Sequence, residues 1–280
     1  MVQRIVNNRA MLVGCIIILL FVFAAVFSPW LSPFDPFVQS IRLRLKPPGD
    51  LHWLGTDAFG RDILSRIIWG SRISLTVGVV AVAIGATIGI LIGLSAGFFG
   101  GAVDSFLMSI VDILLVLPTI LLALVIVAML GPGVFNLMIA VGISNAPRFA
   151  RLIRAEVLAV KKMVFVDAAS ALGASYIRLM LRHILPNTIA SIVVLSSLRI
   201  AQAITTEASL SFLGLGVAPP TPTWGSMIAD GRVYLRTSPW VAIFPGVMIM
   251  LIVMAFNLVG DGLRDLLDPK LRRRGGEERT

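Results

Sequence analysis

What most limits how this chain can fold is the recurrence of apolar runs about 20 residues long. They fall at Met11–Ser28, Ile73–Phe98, Val103–Leu130, a stretch opening at Val134, Asn187–Thr206 and Trp240–Val259. A helix of about 20 residues crosses a hydrocarbon layer of about 30 Å while bonding its own backbone. The runs therefore predict an all-α integral membrane protein with six transmembrane helices. AVILMFWYC make up 57% of the chain and charged residues 14%, against about 25% charged in a soluble domain. Too little polar surface remains to cover a water-soluble core. The single cysteine, Cys15, excludes a disulfide framework, and His52 and His183 lie too far apart in sequence for zinc-ligand spacing, so no metal is expected.

The runs differ in detail. The first follows Arg9, and its rival reading is a cleaved signal peptide. Val26-Phe27-Ser28 ahead of Pro29 makes a weak cleavage site, which favours an uncleaved helix. The third contains Pro118, and Gly131-Pro132-Gly133 is a tight turn. The fourth stays apolar only to about Asn145; Pro147 and a basic amphipathic stretch, Arg148–Val160, come next. The net charge of +9 is unevenly spread. With the N-terminus inside, Arg4, Arg9, Arg148, Arg151, Arg154, Lys161, Lys162, Arg178, Arg182, Arg264, Lys270, Arg272, Arg273, Arg274 and Arg279 fall on inner segments. Eight fall on outer segments: Arg42, Arg44, Lys46, Arg61, Arg66, Arg72, Arg232 and Arg236. That bias places both termini in the cytoplasm, and it explains the basicity without nucleic acid.

The chain divides into 1–72, a transmembrane helix with a periplasmic segment, and 73–280, the transmembrane domain proper. The segment Pro29–Arg72 closes on a helix signal, with Thr56 or Asp57 as its cap and Asp62 and Arg66 spaced as an i,i+4 pair. Glu207–Pro239, rich in Pro, Gly and Trp, reads as an ordered loop or short helix at the outer interface, which Trp224 and Trp240 suit.

Gly85, Gly89, Gly93 and Gly97 recur every fourth residue and share one drifting helix face. Such a face lets another backbone approach closely, either within the chain or at a subunit interface or moving seam. Asp112 and Arg199 are charges inside spans, which makes them functional candidates. Arg199, Gln202 and Thr206 share a face and end at Glu207. They read either as a polar stripe lining a solute path or as packing, with Arg199 paired to Asp112. Between two spans, Lys161–Pro186 forms a cytoplasmic insert of helical periodicity, flanked by Arg and Lys and interrupted by Gly173. It can serve as a lever joined to two membrane helices or as a helix resting on headgroups.

Asp167-Ala168-Ala169-Ser170-Ala171-Leu172-Gly173, nine more residues, then His183-Ile184-Leu185-Pro186 resembles the EAA loop of ABC-importer permeases, E-A-A-x3-G-x9-I-x-L-P. Asp167 stands where that pattern has Glu, and His183 where it has Ile. Three more stretches resemble the dipeptide/oligopeptide/nickel branch. They are His52-Trp53-Leu54-Gly55-Thr56-Asp57 with Gly60-Arg61-Asp62 and Ser65-Arg66; Glu207 to Gly216 leading to Pro219-Pro220-Thr221-Pro222 and Trp224-Gly225; and Asn257 to Asp265 with Leu267-Asp268-Pro269. Together they span His52 to Pro269, and the chain looks like a C-type permease subunit of such an importer.

That resemblance implies a type I ABC importer permease (MetI-like) fold in a bacterial inner membrane. It implies a coupling helix at about 161–186 docked on a separate ATPase, with Asp167, Ala168, Ala169, Gly173, Leu185 and Pro186 as its transmission residues. The implied partners are a second permease subunit, two cytoplasmic ATPase subunits, a periplasmic substrate-binding protein and membrane lipid. ATP and magnesium would be held on the ATPase, with no cofactor here. In keeping with this, the sequence contains no Gly-x4-Gly-Lys-Ser/Thr and no His-Glu-x-x-His, so no catalytic residue is assigned. Two other classes stay in view: a membrane-embedded enzyme, which lacks a second deep acid to pair with Asp112, and a stand-alone carrier, which has no use for the insert. The expected solute is a di- or oligopeptide, with nickel and glutathione as alternatives.

Overall fold

A computed structural model describes residues 8–267; Arg4, the basic residues from Lys270 onward and the Asp268-Pro269 pair lie outside them. The principal helices are α1 (Arg9–Val26), α2 (Ile63–Phe99), α3 (Gly101–Val116), α4 (Thr119–Leu130), α5 (Val134–Val160), α6 (Val164–Ala171), α7 (Leu185–Phe212), α8 (Trp224–Gly231) and α9 (Trp240–Leu267). Strand pairing among the described residues is limited to an isolated bridge between Thr56 and Asp62. Four helical stretches are long and apolar enough to cross a membrane: α1, α2, Tyr176–Phe212 and α9. The α3–α4 pair, bent by 97°, counts as a fifth when taken as one broken span. Hydropathy leaves out α5, because Arg148, Arg151, Arg154 and Glu156 dilute its apolar run. It nevertheless runs beside α2 through the bundle, so the expected six spans correspond to five apolar ones and one basic pass.

Small residues set the helix neighbours. A side-chain carbon on Gly85 would sit 2.7 Å from the Gly142 carbonyl, one on Gly93 2.6 Å from the Ala150 carbonyl, and one on Gly97 2.8 Å from Val157 Cβ. At Gly89 it would overlap Phe149 Cβ. Hence α2 and α5 run parallel with backbones touching, a contact made by removing side chains rather than by expelling water. The α7 helix runs antiparallel to α2, with Gly78 beside Ile204 and Ser74 beside Glu207. The α1 helix runs antiparallel to α9, with Gly14 beside Ala255 and Met11 beside Gly262.

Several boundaries differ from the sequence expectation. The second helix begins at Ile63 rather than Ile73, because Asp62 caps it by accepting from the Ser65 N–H at 2.8 Å. The 72/73 division therefore falls inside one helix. Neither Thr56 nor Asp57 caps it, and Asp62 and Arg66 do not pair. The single helix expected over Val103–Leu130 is two. Leu117 is extended, as a residue before proline prefers to be, and the chain turns there. The reverse happens at Pro147, which stays inside an unbroken α5. An interior proline costs roughly 3 kcal/mol, and tight packing on the glycine face of α2 outweighs it. The fifth and sixth helices also run past their expected ends, to Phe212 and Leu267.

Candidate functional site

The insert between α5 and α7 is built on a small apolar anchor. Val166, Leu179 and Ile184, all buried, pack with Val160, Val157, Ile153, Leu94 and Phe98 at the ends of α2 and α5. Lys161 Nζ donates to the Phe98 carbonyl at 2.5 Å, closing the C-terminus of α2, and Tyr176 meets the Phe98 ring edge-on at 5.7 Å. With Val166 turned inward, α6 presents Asp167, Ala168 and Ala171 outward, with Ala169 half-buried. Val164 is 83% and Leu172 89% exposed, an unusual outlay of apolar surface on so short a helix.

Gly173 ends α6 with φ +83°. The Gly173 N–H donates to the Ser170 carbonyl and the Ala174 N–H to the Ala169 carbonyl, the two bonds of a Schellman stop, which needs a left-handed residue at this position. The chain re-enters a helix at Tyr176 and passes through a π-helical turn, Leu179–Ile184, into α7. Five-residue periodicity puts Leu179 and Ile184 on one face. Ile184 therefore fills the apolar place while His183 stays half-buried. Leu185 is half-buried, and exposed Pro186 follows the π-helical turn at the start of α7.

The structure pairs the charges within the spans otherwise than expected. Asp112 binds Arg151 at 2.6 Å rather than Arg199. Arg154 holds Asp104 through two bonds of 2.5 and 2.6 Å, and Arg148 donates to Thr119 at 2.6 Å. The arginines recur every third residue along α5, so they form a ladder against α3 and α4. Arg199 is half-buried with an unpartnered Nε. Gln202 is exposed; Thr206 is buried and donates to the Gln202 carbonyl at 2.9 Å. Glu207 is not at a mouth. It is fully buried, accepting from Ser211 at 2.8 Å and facing Ser74 at 3.4 Å. The four stripe residues do not share one open face.

The opposite end holds a polar cage that residue-by-residue reading missed. Asp57 accepts from the N–H groups of Phe59 and Arg61 at 2.8 and 2.9 Å and from Arg61 Nε at 2.6 Å, with Arg66 Nε 3.5 Å away. Asp62 holds His52 Nδ1 at 2.9 Å and both the N–H and hydroxyl of Ser65 at 2.8 Å. Apart from exposed Phe59, these residues are all buried. Trp224, expected at an interface, is fully buried and donates to the Ile67 carbonyl at 3.1 Å; half-buried Trp240 donates to the Thr56 carbonyl at 3.4 Å. Burial pushes the Asp230 carboxyl above the usual carboxylate range, opposed by Arg61 and Arg66. The visible signal was density: Asp57, Arg61, Asp62 and Arg66 within ten residues that open an apolar helix.

Comparison with known proteins agrees with this geometry. The family model described as "Binding-protein-dependent transport system inner membrane component" matches residues 89–273. The "N-terminal TM domain of oligopeptide transport permease C" matches residues 1–48. A dipeptide transport system permease protein of Alkalihalophilus pseudofirmus is 44% identical, over 96% of this chain and 89% of its own. A di/tripeptide transport system permease protein of Pseudomonas aeruginosa is 46% identical over 96% and 91%. A glutathione transport system permease protein of Pectobacterium atrosepticum is 44% identical over 96% and 90%. Among solved structures, the inward-facing MetNI methionine ABC transporter superposes with a TM-score of 0.59 at 18% identity, covering 74% of this chain and 98% of that one. An amino acid ABC transporter gives 0.52 at 19%, covering 75% and 94%. The fold is shared with those two, and with the family model matching most of its length, the chain belongs to the binding-protein-dependent transport system inner membrane components, as a multi-pass permease subunit of an ABC transporter.

Proposed function

We propose that this chain imports peptides, glutathione included, as one half of a permease pair in a bacterial inner membrane. A periplasmic binding protein delivers the solute, and two cytoplasmic ATPase subunits, which alone bind ATP and magnesium, drive the cycle. Both termini and α6 lie in the cytoplasm, as the basic bias supports. Residues 1–72 anchor the chain and build its outer segment, and 73–280 carry transport. The solute class rests on the relatives named for dipeptides, di/tripeptides and glutathione.

One observation carries the coupling reading. The short α6 joins α5 and α7 through tight turns and is seated on buried Val166, Leu179 and Ile184, yet it leaves Asp167, Ala168, Val164 and Leu172 uncovered. Exposed small and apolar residues around one carboxylate suit a partner's cleft. A push on α6 passes to α2 and α5 through the same packed cluster and to α7 through the π-helical turn. Within the spans, Asp112–Arg151 is exposed as a pair, and charges seldom face lipid. That side of α3 and α5 lines water, and Arg199 and Gln202 remain free to meet solute on the path.

The test is ATP-driven uptake in proteoliposomes by the purified complex. Asp167→Arg should leave the ATPase co-purifying and hydrolysing while uptake falls at least tenfold. Undiminished uptake would remove the coupling role, and uptake driven by an ion gradient alone would make the chain a carrier.

A further inference from the structure

A cavity of about 690 Å³ opens at the end opposite α6, between the segment around Phe59, the loop 211–221 and α8. Its size falls within the range of small-molecule sites, about 300–1,000 Å³. Four charged side chains line it, Arg61, Arg66, Asp230 and Arg232, so cations outnumber acids three to one. Asp57 beneath them is already engaged by two backbone N–H groups and by Arg61 Nε.

The donors on these arginines are incompletely used. Arg61 NH2 lies 3.8 Å from Asp230, beyond a hydrogen bond. Arg66 is 3% exposed; one terminal nitrogen donates to the Pro36 carbonyl at 3.2 Å and its Nε faces Asp57 at 3.5 Å, a loose contact. Loosely held guanidinium groups keep donor capacity that a ligand oxygen can use. Arg232 is exposed at the rim, with its guanidinium held over the Phe212 ring at 5.1 Å. The wall is stiff: a side-chain carbon on Gly216 would overlap Ser211, which is itself bonded to buried Glu207.

We infer that this cavity receives the free carboxylate of the arriving solute, with Arg232 taking it first at the rim and Arg61 and Arg66 offering donors at the floor. A planar guanidinium matches a carboxylate with two parallel bonds, and Asp230 supplies the opposite sign for an ammonium group. A zwitterionic peptide carries both. The inference rests on the import reading above, which makes this the end of entry.

The experiment is photolabelling of the purified importer with the tripeptide Ala-Ala-p-benzoylphenylalanine, as the free acid and as its C-terminal amide. The free acid should mark residues within 211–221 or 226–232. Arg232→Gln should cut that labelling at least tenfold, Arg232→Lys should restore part of it, and the amide should label weakly in every case. Equal labelling by acid and amide, indifference to Arg232→Gln, or labelling mapped elsewhere would each overturn the site. An importer that takes up peptide yet fails this test loses the cavity and keeps the function. Labelling that stands where no peptide is taken up keeps a carboxylate site and discards the peptide.

Discussion

The two ends of this molecule are held together by opposite means. At the end carrying Asp57 and Asp62, buried charges tie the segment 33–62 to the start of α2, and two tryptophans reach across from α8 and α9. At the other end, a few aliphatic side chains seat α6, whose remaining surface is bare. Buried ionic cages tolerate little displacement, because a charge parted from its partner stays desolvated. Apolar seats are non-directional. The first end is built to keep its shape and the second to be gripped and moved.

That contrast breaks most readily at Asp57. Asp57→Ala strands Arg61 and Arg66 in a buried site, and the cost should be about 3–5 kcal/mol. The check is loss of the monodisperse species in detergent chromatography; a well-behaved variant with an unchanged melting midpoint would mean the cage holds little.

Next comes the seam that links the ends. Gly89→Ala forces a carbon into Phe149 and within 2.6 Å of the Ala146 carbonyl, so about 1–3 kcal/mol should be lost to overpacking. Gly101→Ala, at a position with open space around it, separates crowding at the seam from backbone strain alone when the two melting curves are compared.

At the α6 end, Gly173→Ala meets no neighbour and is penalised only by its positive φ, about 1–2 kcal/mol. Melting should fall by only a few degrees, while peptide taken up per ATP hydrolysed should fall; Gly173→Asn should recover much of it. A large drop in melting with normal coupling would contradict the division of labour. Asp112→Asn, at a salt bridge whose partners are each 59% exposed, should change stability by less than about 1 kcal/mol.

Much of this architecture could be read from one dimension. Apolar run length announced the bundle, and the four-residue glycine period marked the closest helix contact before its partner helix was known. The motif around Asp167 pointed to α6 and to its glycine stop. Other features were not legible, each for a physical reason. Pro118 and Pro147 look alike in sequence, yet one breaks a helix and the other does not, because only the second is buried, in a helix whose flanking residues Ala146 and Phe149 pack on the glycine face. Arg199 was a possible partner for Asp112, but α5 brings Arg151 to it instead.

What the sequence determined alone was whatever depends on solvent and periodicity: that the chain lives in a bilayer, which helix face is smooth, and where glycine interrupts a helix. What the tertiary structure decided was pairing. Which acid meets which arginine, whether Trp224 is buried, and whether four lining charges share one cavity all depend on distances between segments far apart in the chain. Local preference carries no record of those distances, and hydrogen bonds and ion pairs act over only a few ångströms.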